Sequence, residues 1–349
     1  MTKYKLNPRQ KKVLGWFAVW LASFTAVVVL VPGLLVRSTA PSAEPAAVRP
    51  AGAQPGEAEP PLIPVYLSKS KTTDRVPLEA YVRGVVAAEI PAEFEPEALK
   101  AQALAARTYI IRRMLDGDRS GVPAGEALVT DTISHQAYVS DQELEQRWGA
   151  EFGRVRDKLN RAVEETKDIV LTYEGQPIEA SFFSTSNGYT ENSEEYWNVK
   201  IPYLRSVASP WDAKLSPRAK ETVRFTAKEL QTRLGLPAAL PVSAGAARGL
   251  KVLERSQGKR VLKLSAGGRQ FTGREVREKL GLNSSAFQWS YKDGAWEITT
   301  FGYGHGVGMS QWGAQGMALE GRKAEEIVKH YYTGIELSKA SNLLSAKSF

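Results

Sequence analysis

The 349-residue chain contains no cysteine, and its histidines number only three, His135, His305 and His330. The first absence excludes disulfides, thiol nucleophiles and thiolate metal sites. The scatter of the histidines leaves no ligand spacing, so no structural zinc site is expected. A real excess of charge is also missing. The formal net charge is +8, but Lys3, Lys5, Arg9, Lys11 and Lys12 supply five of those charges, which leaves +3 from Val13 onward. No Lys/Arg stripe with interleaved aromatics stands out, so nucleic acid is not an expected partner. The Gly-rich segment Gly302 to Gly308 gives GxGxxG in no register, and no GK[ST] follows it, which removes the dinucleotide and P-loop readings. No cofactor and no metal are expected, and no internal repeat is visible.

What is present begins with a 24-residue uncharged run, Val13 to Val36. At about 1.5 Å rise per residue it is long enough to cross the ~30 Å hydrocarbon layer, and the basic residues before it put the N-terminus in the cytoplasm. A cleaved signal peptide is the competing reading, with Ser38, Thr39 and Ala40 as a small-residue site. Signal cores usually span roughly 7–15 residues, and Pro41 directly after the site hinders cleavage. Residues 37–64 are rich in Ala, Pro, Gly and Glu, with too little apolar surface to fold. The predicted organisation is a cytoplasmic tail (1–12), a transmembrane helix (13–36), a linker (37–64), one extracytoplasmic body (65–337) and a C-terminal tail (338–349). The expected localisation is therefore the cell membrane, crossed once. The expected fold class is α+β, a single globular body mixing helices with antiparallel strands.

One carboxylate sits where a carboxylate is uncomfortable. Leu78, Tyr81, Val82 and Val85 recur at the spacing of an amphipathic helix, and the next position on that apolar face is Glu89. Pro91 ends the helix just beyond, so Glu89 lies in its last turn, where the macrodipole and apolar neighbours both disfavour ionisation. A carboxyl that stays protonated near neutral pH can serve as a general acid; the plainer alternative is a structural ion pair. After Pro91 a second helix runs through EPEALKAQALAARTYIIRRML. From Ala98 to Ile111 it is apolar on nearly every face apart from Lys100, Gln102 and Arg107, so it is predicted to be buried. Lys100 and Arg107 share a face, and Gln102 falls almost opposite. Glu93, Glu95 and Glu97 occupy a more exposed turn.

Downstream, DTISHQAYVS (Asp131 to Ser140) reads as a short extended segment, and Glu143 to Lys167 as a helix. IVLTYEGQPIEASFF reads as a hairpin that turns at Glu174 to Pro177. The loop after it, Ser184 to Tyr189, is either a hairpin exit or a hydroxyl-rich rim for sugars. Trp197 to Asp212 adds aromatic rings whose flat faces suit sugar C–H groups, although such rings are also common in cores. Gly302, Gly304, Gly306 and Gly308 imply close backbone approach or unusual dihedrals around His305, with amides open to substrate. His305 is read as a site residue in preference to a structural one. A serine hydrolase built on Ser184 or Ser310 with His305 lacks the GxSxG elbow.

Five stretches, GVVAAEIPAEFEPEALKAQALAARTY, DTISHQAY, STSNGYT, WNVKIPYLRSVASPWD and GYGHGVGMSQWGAQGMA, are together similar to the stage II sporulation protein D family of lytic transglycosylases, across about Val65 to Leu337. The resemblance implies cleavage of the MurNAc–GlcNAc bond in peptidoglycan glycan strands already stripped of stem peptides, leaving a 1,6-anhydro end, with Glu89 matching the family's catalytic glutamate. It implies action during forespore engulfment beside an amidase, stage II sporulation protein P, and a membrane partner, stage II sporulation protein M. Taken with the polar clustering, it further implies that Gln102, Arg107, Ser184, Thr185, Ser186, Tyr203 and His305 converge on Glu89 as substrate-binding residues, joined by Ser310 and Gln311. A non-catalytic glycan-binding or amidase-activator module is the alternative from another class.

Overall fold

A computed structural model describes residues 60–123, 125–236 and 249–346. The expected cytoplasmic tail, the Val13 to Val36 span and most of the linker lie outside the described residues. Among the described residues no helix is long and apolar enough to cross a membrane.

The chain enters on a β-hairpin, Leu62–Leu67 against Thr72–Pro77, whose first strand also pairs in parallel with Val129–Thr130. A helical hairpin follows, Leu78–Glu89 and Pro96–Asp116. Its limits follow from local chemistry. Pro96 stands in the first turn of the second helix, where its missing N–H costs nothing, and Gly117 closes that helix at φ 62°, a left-handed conformation that suits glycine. Ala98, Ala101, Ala103, Ala105 and Ala106 are all buried, and their small side chains let neighbours approach from several sides. The Leu78–Glu89, Phe152–Glu164, Gln311–Leu319 and Ala324–Tyr331 helices and the Ile169–Tyr173 strand all pack on this central helix. It is therefore the axis of the larger hydrophobic core, as its nearly all-round apolar pattern requires.

The helix expected over Glu143 to Lys167 is two, Asp141–Trp148 and Phe152–Glu164, broken by a turn at Gly149–Glu151. The hairpin turns at Glu174 and Gly175, both with positive φ. Its first strand also pairs with Glu336–Lys339, and the Ala340–Ala346 helix follows. Regular elements thus run past Leu337, where a tail was expected, and the first strand among the described residues starts at Leu62, inside the expected linker. Most pairings are antiparallel, but Met309–Ser310 lies parallel to Phe182–Phe183.

Residues 220–236 and 249–301 build a smaller lobe with its own hydrophobic core around Phe225, Leu264, Phe271, Trp296 and Ile298. This lobe contains a duplication that the sequence reading missed. Phe225-Thr226-x-x-Glu229 and Phe271-Thr272-x-x-Glu275 each open a helix with a reciprocal cap. The threonine hydroxyl accepts from the glutamate N–H at 3.2 and 3.1 Å, and the glutamate accepts from the threonine N–H at 2.7 and 2.6 Å. Both helices close on a left-handed glycine followed by a buried leucine, Gly235-Leu236 and Gly281-Leu282. After each helix come two strands of an antiparallel three-stranded sheet. In one sheet the third strand is Arg269–Thr272, which leads into the second helix; in the other it is Lys220–Phe225, which leads into the first. Each copy is completed by the strand that starts the other helix. Charged surface positions differ between the copies, which masks the repeat in the linear sequence.

Arg260 fastens this lobe to the main body. It is fully buried, donates to Ser284 Oγ at 2.7 Å, and lies 3.9 Å from the equally buried Glu191. Burial and the neighbouring Glu195 push the Glu191 carboxyl up to about 8.

Candidate active site

Glu89 is the last residue of its helix and is half-buried. Its Oε1 accepts from the Ala137 N–H at 3.0 Å, and its Oε2 accepts from Gln311 Nε2 at 3.4 Å. No cation pairs with it among the described residues, which removes the structural ion-pair reading. Burial raises its carboxyl above the ordinary range, and the two hydrogen bonds, which favour the charged form, offset only part of that rise.

The Ala137 amide is held in place by the loop that the sequence reading took for an extended segment. Asp131 to Ser140 forms no strand; it is a pinned irregular loop. Asp131 accepts from the Ser68 N–H at 3.1 Å through both oxygens. His135 Nδ1 accepts from the Thr130 N–H at 3.2 Å, so a proton sits on Nε2, which donates to Ser120 O at 3.0 Å. Tyr138 stacks on Tyr81 with ring centroids 5.5 Å apart, and the Tyr81 hydroxyl donates to Gln136 at 3.3 Å. Gly84 permits this approach, because a Cβ there would lie 2.4 Å from the Tyr138 ring and 2.5 Å from Val139 O.

Gln311 is held from behind. It opens the Gln311–Leu319 helix, whose cap Ser310 accepts from the Gly313 N–H and donates to Asp212. Asp212 is wholly buried and also accepts from the Ser186 N–H at 2.7 Å, Ser186 Oγ at 2.9 Å and Ser209 Oγ at 2.7 Å. The hairpin turn is stitched to the same helix, with the Glu95 N–H donating to Gln315 at 2.7 Å and Phe94 meeting Trp312 edge-on at 4.8 Å. A continuous chain, Asp212 to Ser310 to Gln311, therefore ends on the Glu89 carboxyl.

Of the residues expected around Glu89, Gln311 is the one whose side chain hydrogen-bonds it. Ser184 is half-buried and its carbonyl accepts from the Trp312 N–H at 3.1 Å, beside Gln311. Thr185, Ser186 and Ser310 turn inward: Thr185 bonds Ser216 at 2.7 Å, and the other two serve Asp212. They form no sugar rim, because their hydroxyls are already spent beneath the surface. Arg107 is wholly buried, gripping Glu79 at 2.6 Å and donating to Thr166, Ile169 O and Val163 O. It braces the hairpin from within. Tyr203 accepts from the Glu179 N–H at 2.8 Å and lines a groove of about 430 Å³ with Arg112, Tyr173 and Leu343. Gln102 is buried, with no protein partner for its amide among the described residues.

His305 is a packed, neutral histidine. Its Nε2 donates to Phe182 O at 3.0 Å and its Nδ1 accepts from the Val307 N–H at 3.1 Å. Phe183, Tyr196 and Trp197 surround it at 5.6–5.7 Å. Burial, then Arg260 and Arg277, pull its pKa down to about 3. With both nitrogens committed it activates neither Ser184 nor Ser310, and the serine hydrolase reading falls. The four glycines flanking it do have positive φ and close neighbours: a Cβ on Gly308 would lie 2.0 Å from Ser181 O. The amides of Gly302 and Gly304 are spent on Ala219 O and Asn283 O, so they do not reach outward. Trp197 and Trp211 likewise pack on His305 and His330.

Sequence reasoning missed Ala137, which acts through its backbone N–H and leaves no side-chain signal. It also missed Gly84 and Asp212. The only sign of Asp212 is a lone acid in a segment otherwise rich in serine and aromatics.

Residues 66–173 match the family model described as "Stage II sporulation protein", a segment that contains both hairpin helices, Glu89 and Ala137. Over 94% of its length the chain is 46% identical to the stage II sporulation protein D of Bacillus subtilis (strain 168), 97% of which is covered. It is 48% identical to the stage II sporulation protein D of Bacillus amyloliquefaciens, across 84% of each chain. It is 30% identical, over 74% of its length, to the amidase enhancer of Bacillus subtilis (strain 168), of which 40% is covered.

Proposed function

The chain belongs to the stage II sporulation protein D family, and from that premise we propose that it is a peptidoglycan lytic transglycosylase with Glu89 as its acid. The observation that carries this reading is a single half-buried carboxyl, raised by burial and held by two neutral donors. Ordinary glycosidases need two carboxyl groups, one of them to activate water or attack the sugar. A lytic transglycosylase uses one group twice. Protonated Glu89 gives its proton to the oxygen bridging MurNAc and GlcNAc as the C1–O bond breaks. The muramyl 6-hydroxyl closes on C1 and returns its proton to the carboxylate, with the substrate's own acetamido group able to assist. No water is consumed, and the products are a GlcNAc hydroxyl and a 1,6-anhydro end. Mass analysis of digested glycan tests this: anhydro ends are expected, whereas reducing ends would identify a hydrolase.

The proposed substrate is the peptide-free strand left by stage II sporulation protein P, with stage II sporulation protein M as membrane partner, in forespore engulfment. Similarity to an amidase enhancer supports a second reading, an activator in which Glu89 only bonds sugar hydroxyls. Digests with no new ends would favour it. The proposed topology has Val13 to Val36 spanning the membrane with the body outside. Protease added to intact protoplasts should then remove the body, and a fully protected body would refute that topology.

A further inference from the structure

We infer that Oε2 of Glu89 is the oxygen that carries the catalytic proton and that Gln311 is the positioning residue whose amide follows that proton. The inference rests on Glu89 being the acid, and it turns on the different nature of its two donors. A backbone N–H can only donate. The Ala137 amide is fixed by the pinned loop, so Oε1 must remain an acceptor in both protonation states. The carbonyl oxygen of a carboxylic acid is its better acceptor, so the Ala137 amide holds Oε1 as the carbonyl and leaves the proton to Oε2, which faces the Gln311 side chain. A glutamine amide carries a donor at one end and an acceptor at the other. Nε2 donates to the carboxylate; half a turn of the amide presents Oε1 to the protonated form. The stem need not move, since Ser310 and Asp212 hold the first turn of the helix behind it.

Among the described residues Gln311 is the polar side chain that hydrogen-bonds the carboxyl. From its own helix Glu89 faces Tyr81, whose hydroxyl burial keeps neutral. The 131–140 loop offers the Ala137 amide beside the neutral Gln136, and no ion pair from the Gln311–Leu319 helix reaches it among the described residues. Once Glu89 has released its proton to the leaving oxygen, Gln311 donates to the new carboxylate, and it rotates back when the 6-hydroxyl proton returns. The donor bond steadies the charged intermediate without holding Glu89 ionised in the resting site.

The test is a carboxyl-carbon NMR titration of the full chain carrying 13C-labelled glutamate, with the Glu89 resonance identified by its loss in Glu89→Gln. Gln311→Met keeps the length and volume of the side chain but removes both amide ends. The Glu89 midpoint should rise by about half a unit, roughly threefold in proton affinity, because the charge-assisted bond lost from the carboxylate is stronger than the neutral bond lost from the acid; the rise is modest because the bond is long. Gln311→Glu should raise it further, because two carboxyls in hydrogen-bond reach share one proton. The alkaline limb of the pH–activity profile should move up by the same interval in each variant. A midpoint unchanged in Gln311→Met overturns the inference, and if that variant does not fold, an unchanged midpoint in Gln311→Glu does so. The titration reads the proton without needing turnover, so a protein that cleaves no glycan would end the lyase reading while leaving the role of Gln311 to be decided by the midpoint.

Discussion

Glu89→Gln is expected to stop release of anhydromuramyl ends while glycan binding and the melting temperature stay close to wild type. The amide keeps the shape of the carboxyl, and its oxygen can still accept from the Ala137 N–H. It cannot give a proton to the leaving oxygen. General acid catalysis typically contributes ~10²–10⁴ in rate, and here the same group must also take the proton back, so the loss should reach the upper part of that range. Glu93→Gln and Glu95→Gln should do far less, since neither side chain is part of the site; Glu97 is committed to Lys100 at 2.7 Å and to the Ala324 N–H at 2.8 Å. The pH dependence has a definite sign. Burial raises the folded carboxyl of Glu89, so the active protonated form dominates below its pKa and activity falls as pH rises through it. The same shift makes the folded state hold this proton more tightly than the unfolded chain. The contribution of Glu89 to stability is therefore best at low pH and declines from the ordinary carboxylate range up to the raised pKa. Near wild-type release of anhydro ends by Glu89→Gln would return the activator reading to first place.

Arg107→Met should act on the fold. The guanidinium reaches Glu79, Thr166 and the carbonyls of Val163 and Ile169, and so ties both hairpin helices to the last turn of the Phe152–Glu164 helix and the segment after it. Methionine fills the space but leaves those acceptors without their donor. Breaking a buried pair by removing one partner costs about 3–5 kcal/mol, and the partial exposure of Glu79 puts the expected loss near the lower end. Thermal unfolding should show a fall in Tm on the order of 10 °C. Turnover per folded molecule, measured well below the new Tm, should change little. A strong loss of turnover with an unchanged Tm would instead place Arg107 against the substrate.

Arg107 and His305 show why polar residues in apolar surroundings are ambiguous in sequence. Each reads as a site candidate, because the pattern marks a polar group where burial is costly. The pattern does not say whether protein or substrate supplies the partners. Arg107 has its partners inside the hairpin, and His305 has one carbonyl and one N–H from nearby backbone. The hydroxyls of Thr185, Ser186 and Ser310 follow the same rule, since one buried carboxylate, Asp212, collects two of them together with Ser209.

Local physics wrote the helical hairpin into the sequence. Apolar spacing set the face of the first helix and pointed Glu89 inward, Pro91 ended it, and the run of alanines declared the second helix a buried axis. These features depend on neighbours within a turn or two of helix, which a linear pattern records. Tertiary structure alone decided what touches Glu89. Ala137 lies 48 positions away and Gln311 lies 222, and one of the two acts through a backbone group that every residue except proline possesses. The same holds for the smaller lobe, where each copy of the duplication is completed by a strand from the other. Hydrogen bonds between distant segments depend on how whole elements pack, and no local spacing in the chain encodes that packing.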